Sequence, residues 1–384
     1  MVANHPSSAV TSPAGPRRPA GVAGRRLRRH RLAVAAAAAA AILWTAGAAR
    51  AQTSEQHQGM EMGQAPTMVF RAFGAIDWGA TQMPDTPNSF TIGQFDMFLT
   101  SALSDRISVL AEAVLEGGTN TRVIVDLERL EVTFRFNDYL RLSAGRFHTG
   151  LGYYNTAFHH AAFFETPTER PRVYKFEDEG GVLAVHDVGL SLRGVVPRTG
   201  SSLRYLAEVG NGRKWTESDA DATETRDENS AKAINVGLSF RPEAWRGLEI
   251  GTSYYRDTIP RPSQSAVLHE VIVAYAGDRA RTVEGMGEWL WLNHEADGAR
   301  HDNTAGYLQL SRAWGPLRPY YRYDRQSISP DTPLIGGTPS YSAHIAGLRI
   351  DPLELLGVKV EYQRADEAGH QSVDSIRTQL VFVF

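Results

Sequence analysis

The C-terminal stretch Ser372–Phe384 (SVDSIRTQLVFVF) decides the fold, because apolar and polar residues alternate along it. Successive side chains of an extended strand point to opposite faces. One face would therefore carry Ile376, Leu380, Phe382 and Phe384, and the other Ser375, Arg377 and Gln379. Lipid favours the first row of side chains, and a water-filled lumen tolerates the second.

The same period of two recurs along the chain from residue 67 onward, without an amphipathic helix of useful length. Each segment reaches the ~9–11 residues that a tilted strand needs to cross a bilayer. Short connections alternate with longer ones, which include 259–265 and 295–303. This pattern predicts an all-β fold over residues 67–384, a transmembrane antiparallel β-barrel of about 16 strands with short periplasmic turns and long extracellular loops. A soluble β-sandwich is the alternative, since its strands also alternate.

Two further features bear on the barrel wall. Aromatic residues cluster near predicted strand ends, as they do at membrane interfaces. They are Trp78, Trp245, Trp289, Trp291, Trp314, Tyr320 and Tyr321. Near Asp126–Leu130 the apolar positions change parity, which a β-bulge would explain.

The beginning of the chain predicts export. Residues 1–51 form a predicted signal peptide with an N-terminal extension, in which the basic Arg25–Arg31 precedes an Ala-rich apolar run and an Ala-Arg-Ala cleavage site. Residues 52–66 are predicted to be a flexible periplasmic tail. Cleavage would remove eight Arg and no acid, so the formal charge would change from −3 to −11. An acidic chain argues against nucleic acid as a partner, and the lack of cysteine excludes a disulfide framework.

One connection is too long for a hairpin turn. Gly145–Gly181 (GRFHTGLGYYNTAFHHAAFFETPTERPRVYKFEDEGG) carries many aromatic, histidine and acidic residues, and the strand after it is predicted as Val182–Val196. A long connection of this kind is usually functional or disordered, and its aromatic content argues against disorder.

The final residues QLVFVF, ending in Phe384, resemble the terminal strand of Gram-negative outer-membrane proteins. In those proteins the C-terminal aromatic residue is part of the signal recognised by the barrel assembly machinery. The whole layout resembles the sixteen-stranded porin superfamily, and Gly145–Gly152 (GRFHTGLG) is similar to the segment after strand five of phosphate-selective-type porins. The resemblance implies location in the cell outer membrane, with its lipid and lipopolysaccharide and the assembly machinery as partners, and a homotrimer as one expected assembly.

The resemblance also implies passive diffusion of small hydrophilic solutes through a water-filled lumen that loop 145–181 narrows, with no cofactor. An external lid is the alternative position for this loop, although its aromatic residues favour the interior. Phe384 is the expected assembly signal.

Charges on the non-lipid face are segregated by strand. Strands four to eight are mainly basic, strands nine to eleven acidic, and strands thirteen to sixteen basic again, which predicts a transverse field across the lumen. Paired or merely solvated lumen charges are the alternative. The expected lumen and constriction residues are Arg135, Arg141, Arg193, Arg204, Glu131, Glu270, Glu284 and Glu288, with Glu165, Glu169, Glu177, Asp178 and Glu179 from the loop opposite the four arginines.

Two other classes of function stay open, an outer-membrane lipid or peptide hydrolase and a closed structural or adhesive barrel. Catalytic candidates are limited to His159-His160 and His186-Asp187. The second pair is adjacent along a strand and would point to opposite faces. His148, His159 and His160 match no standard ligand spacing, so no metal site is predicted.

Overall fold

Sixteen strands form a closed antiparallel barrel in the computed structural model of this chain. They are β1 Thr67–Thr81, β2 Ser89–Ala102, β3 Ile107–Gly118, β4 Arg122–Asn137, β5 Leu140–His148, β6 His186–Arg198, β7 Ser201–Gly210, β8 Ala233–Arg241, β9 Leu248–Arg261, β10 Gln264–Asp278, β11 Val283–Ala296, β12 Ala299–Arg312, β13 Leu317–Ser327, β14 Tyr341–Leu353, β15 Leu356–Glu367 and β16 Val373–Val383. Each strand pairs with its neighbours in sequence, and β1 pairs with β16. The predicted barrel and its strand number are confirmed.

The structure describes residues 67–83, 86–118, 122–158, 162–176, 181–198, 200–215, 226, 229–279, 282–335 and 337–384. The predicted signal peptide and tail lie outside these residues. Within the described part of the chain, no helix has the length and apolar character needed to cross a lipid bilayer.

The alternation in sequence becomes an inner and an outer face of the wall. In β8, Asn235 and Ser239 are buried inside the barrel, whereas Ile234, Val236 and Leu238 are exposed outside it. The tryptophans Trp245, Trp289, Trp291 and Trp314 are exposed, as expected for interface residues. Tyr320 differs from this expectation, because it is buried and its hydroxyl donates to Glu361 on the inner face at 2.8 Å.

The seam between the first and last strands depends on the C-terminus. Phe384 and Ala72 exchange two backbone hydrogen bonds of 3.0 Å, directly beyond the pair Phe73 and Val383. Gly74 makes room for the ring of Phe382, since a Cβ atom there would lie 2.4 Å from the ring. The ring of Phe384 is 66% exposed and stacks at 6.1 Å from that of Phe95.

Two connections predicted to be long are tight turns. The segments 259–265 and 295–303 are mostly strand, and the strands turn at Pro262-Ser263 and at Asp297-Gly298. Asp297 and Gly298 have positive φ of 55° and 77°, the conformation of a hairpin turn that Asp-Gly favours. The polar residues that suggested loops therefore lie mostly within the strands of these two hairpins.

The parity change near Asp126–Leu130 corresponds to a β-bulge. Glu112 pairs with Arg129 and Ala113 with Leu127, so Glu128 is the extra residue of β4. A bulge locally disrupts the ladder and redirects side chains. The predicted bulge is confirmed, and Glu128 is buried at this extra position.

We expect deletion of Phe384 to lower the fraction of folded barrel in the outer membrane. The deletion removes both hydrogen bonds to Ala72, so the seam between β1 and β16 loses its last pair. The measurement is the heat-modifiable band on unheated gels of isolated membranes. Phe136→Ala, which removes an exposed aromatic ring away from the seam, is the control and should leave that band unchanged. An unchanged band for the deletion would contradict the role of Phe384.

Candidate functional site: the inward loop and the arginine cavity

The connection between β5 and β6 runs through the interior of the barrel. Its described parts include a short helix at Tyr154–Ala157 and 3₁₀ turns at Ala162–Phe164 and Arg172–Tyr174. The segment predicted as the start of a strand, Val182–Val185, belongs instead to the buried return of this loop. The two arms of the loop meet where the amide of Thr149 donates to the carbonyl of Val185 at 3.0 Å.

The carboxylate of Glu288 on β11 is the central anchor of the loop. It accepts the backbone N–H groups of Tyr153 and Tyr154 at 2.7 Å each. The hydroxyls of Tyr174 and Tyr307 also donate to it, both at 2.8 Å. A buried carboxylate needs such donors, because its charge loses the solvation of water. Glu288 therefore fixes the start of the short helix against the far wall.

Glycine is required at the position before this anchor. Gly152 has a φ of +78°, a conformation that L side chains rarely adopt, and donates to Ser253 at 3.0 Å. A Cβ atom there would lie 1.8 Å from the Tyr174 hydroxyl and 2.3 Å from a carboxylate oxygen of Glu288. The close approach of loop and wall therefore depends on the missing side chain.

The basic side chains of β13–β15 bind main-chain carbonyls of the loop. Lys359 donates to Ala162 at 2.7 Å and to Pro167 at 2.8 Å. On the neighbouring strands, Arg349 reaches Phe163 and Glu165, and Arg322 reaches Glu169 and Arg170, at 2.6–3.2 Å. These cations neutralise carbonyl dipoles that would otherwise be buried without partners.

The loop acids face the same wall. Glu169 pairs with Arg377 of β16. Burial inside the barrel raises the pKa of Glu169, but Arg377, Lys175 and Arg322 outweigh this effect and bring the pKa to about 2. Its side chain is still 44% exposed, so it borders the open part of the lumen. Glu165 is fully enclosed, and burial raises its pKa although Arg170 and Lys359 act in the opposite direction.

An apolar cluster joins the loop to the wall formed by β9–β12. Tyr154 stacks against Phe158 and Tyr174, with ring centroids 4.6 and 5.7 Å apart. Val271, Val273 and Leu290 face this cluster from the strands. The lumen side of these strands is therefore apolar where the loop packs against it, an exception to the simple rule that apolar side chains face lipid.

On the side of the short turns, the interior beside the loop contains a cavity of about 600 Å³. Six arginines line it, namely Arg135, Arg141, Arg193, Arg204, Arg241 and Arg279. Glu249, which pairs with Arg241 and Arg204, and Asp138 are the acids of this lining. The loop contributes Tyr153 and Thr156 to the same cavity. The cavity is thus polar with an excess of positive charge.

The structure brings only part of the predicted constriction together. Arg135, Arg141, Arg193 and Arg204 line one cavity, but Glu165 and Glu169 face β13–β16 instead of these arginines. The predicted opposition between loop acids and this arginine wall is therefore wrong for both residues. Glu177, Asp178 and Glu179 lie outside the described residues.

The other predicted lumen acids have separate positions. Glu131 faces Arg193 and Arg141, and Glu284 pairs with Arg318 at 2.8 Å. The prediction that Glu270 faces the lumen is wrong. It lies on the outer face of β10, where the hydroxyl of Tyr254 donates to it. Sequence alternation places the wrong face of β10 in the lumen, because the apolar Val271 and Val273 face the loop cluster inside the barrel.

Sequence reasoning did not identify two features of the site. Arg279 follows β10 in a short turn, and its guanidinium lies 4.9 Å from the ring of Phe158, so it enters the cavity from outside the strand pattern. Glu288 was expected to be a lumen charge, whereas it anchors the loop. The available sequence signal for such a close approach was Gly152, which directly precedes Tyr153 and Tyr154 and follows Gly150 by two residues.

His186 and Asp187, a candidate catalytic pair in the sequence, do not form a dyad in the structure. Asp187 accepts the amides of Val188 and Gly212, while His186 contacts Glu128 at 2.9 Å. The two side chains therefore engage different neighbours. His159 and His160 lie outside the described residues.

No known family profile matches this sequence, and no curated protein sequence matches it either. Solved structures do match at the level of fold. An anion-selective porin from Comamonas acidovorans aligns with a TM-score of 0.57 and 10% identity, covering 83% of this chain and 100% of that one. The outer membrane channel DcaP of Acinetobacter baumannii gives 0.57 and 10%, with 85% and 100% covered.

A third similar structure is OmpT, an outer membrane protein of Vibrio cholerae described in a trimer form. It aligns with a TM-score of 0.52 and 9% identity, over 84% of this chain and 100% of that one. At such identities the likeness establishes the fold alone. The chain therefore shares the barrel fold of these proteins.

We expect Glu288→Gln to loosen the loop. The amide NH₂ would face the donors that now point to one carboxylate oxygen, so buried hydrogen bonds would be lost at a cost on the order of 3 kcal/mol. The barrel should unfold at a lower temperature, and trypsin should cleave the loop after Arg172 faster. Glu284→Gln, four residues earlier on the same strand face, is the matched control. Equal behaviour of both variants would contradict the anchoring role.

Proposed function

We propose that this barrel is an outer-membrane channel for passive diffusion of small hydrophilic solutes, with a preference for anions. The observation that carries the proposal is the cavity of about 600 Å³ lined by six arginines beside the inward loop. The barrel fold supports it, and one of the similar structures is described as an anion-selective porin.

The arrangement of charges gives the proposed preference its physical basis. Arg141, Arg193 and Arg204 lie on the adjacent strands β5, β6 and β7 and all line the cavity, so their potentials add there. The loop and the wall exclude part of the water, so these charges are screened less than on an open surface. A ring of one sign selects ions of the other sign, and a positive wall therefore concentrates small anions.

The loop supplies the proposed size limit. It is tied to β7 through the amide of Gly150 and Glu208 at 2.7 Å, and to β11 through Glu288. Thr168 extends the attachment to Glu361 of β15 at 2.7 Å. A segment held on three sides of the barrel narrows the passage at a constant width. Solutes would pass beside the loop, past the arginines.

Location in the outer membrane, recognition of the last strand by the assembly machinery, contact with lipopolysaccharide and a homotrimer belong to the same proposal. The exposed apolar rows, such as Ile234, Val236 and Leu238, suit contact with lipid or with a second copy. The trimer form of a similar barrel supports three copies.

A closed structural barrel is the second candidate. The observation that favours it is the apolar cluster that joins the loop to β9–β12 and fills that side of the lumen. Conductance separates the two candidates, since a closed barrel would give no discrete current steps in planar bilayers. Hydrolysis of lipid or peptide by the purified barrel, without current, would instead favour an outer-membrane enzyme.

We expect the double variant Arg135→Ala, Arg141→Ala to shift ion selectivity toward cations, because it removes two of the six cavity charges. The anion-to-cation permeability ratio should fall by about two-fold or more, as read from the reversal potential in a KCl gradient. Arg256→Ala with Arg325→Ala removes two arginines from the outer face and is the matched control. An unchanged ratio in the first variant would place the selective region elsewhere.

We expect shortening of the loop within Thr156–Arg172 to raise single-channel conductance, because it widens the narrow part of the lumen. The Glu288 anchor precedes the deleted part at Tyr153 and Tyr154, so the start of the loop stays attached. Single-channel recording on heat-modifiable, hence folded, protein is the measurement. Conductance equal to that of the intact protein would place the constriction outside this loop.

A further inference from the structure

Glu128, His148 and His186 form a compact cluster beside the arginine cavity but outside its lining, since the guanidinium of Arg193 donates to the main-chain oxygen of His148 at 2.9 Å. Each offers a carboxylate oxygen or an imidazole nitrogen, and these ligand atoms all lie within 4.8 Å of one another. The side chains are buried, with 3%, 6% and 7% of their surface exposed respectively. One oxygen of Glu128 is 2.9 Å from Nε2 of His186, and the two imidazole rings lie 4.9 Å apart.

The backbone places these three residues at one level on adjacent strands. His148 is the last residue of β5 and pairs with His186, the first residue of β6. Glu128 is the extra residue of the bulge in β4, next to the pair Leu130 and Arg146. The cluster thus joins three separate segments and does not arise from neighbours in sequence.

We propose that Glu128, His148 and His186 bind a divalent transition-metal ion of the zinc type. Two imidazoles and one carboxylate form a standard set of three protein ligands for Zn²⁺, with a fourth position left for water. Zinc bonds of about 2.0–2.1 Å require ligand atoms roughly 3.3 Å apart in a tetrahedron. Ligand atoms that lie up to 4.8 Å apart must therefore approach one another by up to about 1.5 Å when the metal ion binds.

The surroundings suit a metal ion with these ligands. Phe176 stacks on His186 with ring centroids 5.4 Å apart, which limits the orientation of that imidazole. Arg146 donates from its Nε to the main-chain oxygen of Glu128 at 3.1 Å, and this hydrogen bond holds the bulge in place. The carboxylate charge offsets part of the charge of the metal ion.

The consequence of binding follows from where the ligands lie. His148 and His186 are the residues at which the inward loop leaves and rejoins the barrel wall. A metal ion would tie both roots of the loop to β4, in addition to the hydrogen bonds at Thr149 and Asn155. This site is independent of the proposed permeation and would exist equally in a closed barrel.

The test is titration of the purified, folded barrel with Zn²⁺ by calorimetry, together with X-ray absorption of the zinc-loaded protein. We expect one site per chain that contains two imidazoles and an oxygen ligand. His148→Ala and His186→Ala should each weaken zinc affinity by about 100-fold or more, because losing a ligand costs more than losing a residue that only hydrogen-bonds to a ligand. Zn²⁺ should also raise the unfolding temperature of the parent protein but not that of these two variants.

Two controls keep the result specific. His269→Gln changes the other buried histidine pair, in which His269 and His294 lie 2.8 Å apart, and His370→Ala changes an exposed turn residue. Both should bind zinc as the parent does. Equal binding by all variants, absence of binding by the parent, or a spectrum without imidazole would overturn the proposal. The spectrum of the parent decides the matter even where a histidine variant fails to fold.

Discussion

The buried carboxylate of Glu288 makes the barrel wall and the inward loop depend on each other. Such a group costs several kcal/mol to bury unless donors surround it. Three of its four donors, the amides of Tyr153 and Tyr154 and the hydroxyl of Tyr174, belong to the loop. An external loop would leave Glu288 with Tyr307 as its remaining donor. The interior position of the loop is therefore required by the wall, and not only permitted by the space.

This attachment divides the charges of the lumen into two groups. The basic residues of β13–β16 are occupied by the loop, as Lys359 is by two carbonyls and Arg377 by Glu169. The arginines of β4–β8 face a cavity in which Glu249 is shared by Arg204 and Arg241. Basic residues thus have two different roles, and the arginines of β4–β8 are the ones that give the cavity its positive potential. A transverse field alone would not distinguish these roles.

The sequence predicts the barrel well because strand alternation reflects a constraint on every residue of the wall. It predicts the site less well, because the loop changes what the lumen side must contact. Val271 and Val273 face inward against loop aromatics, and this places Glu270 on the outer face. Loop acids near the arginines in sequence, such as Glu165, lie against Lys359, far away along the chain. Periodicity holds no information on such long-range contacts.

The β-bulge at Glu128 in β4 also depends on a contact between residues that are distant in sequence. A bulge gives up ladder pairing, so it persists where the redirected side chain gains a partner. At Glu128 the partners are His186 at 2.9 Å and, beside it, His148. The parity change near Asp126–Leu130 was visible in the sequence, but the histidines lie on two strands separated by the whole loop. A local anomaly and two distant histidines therefore become one site only through the closure of β4, β5 and β6.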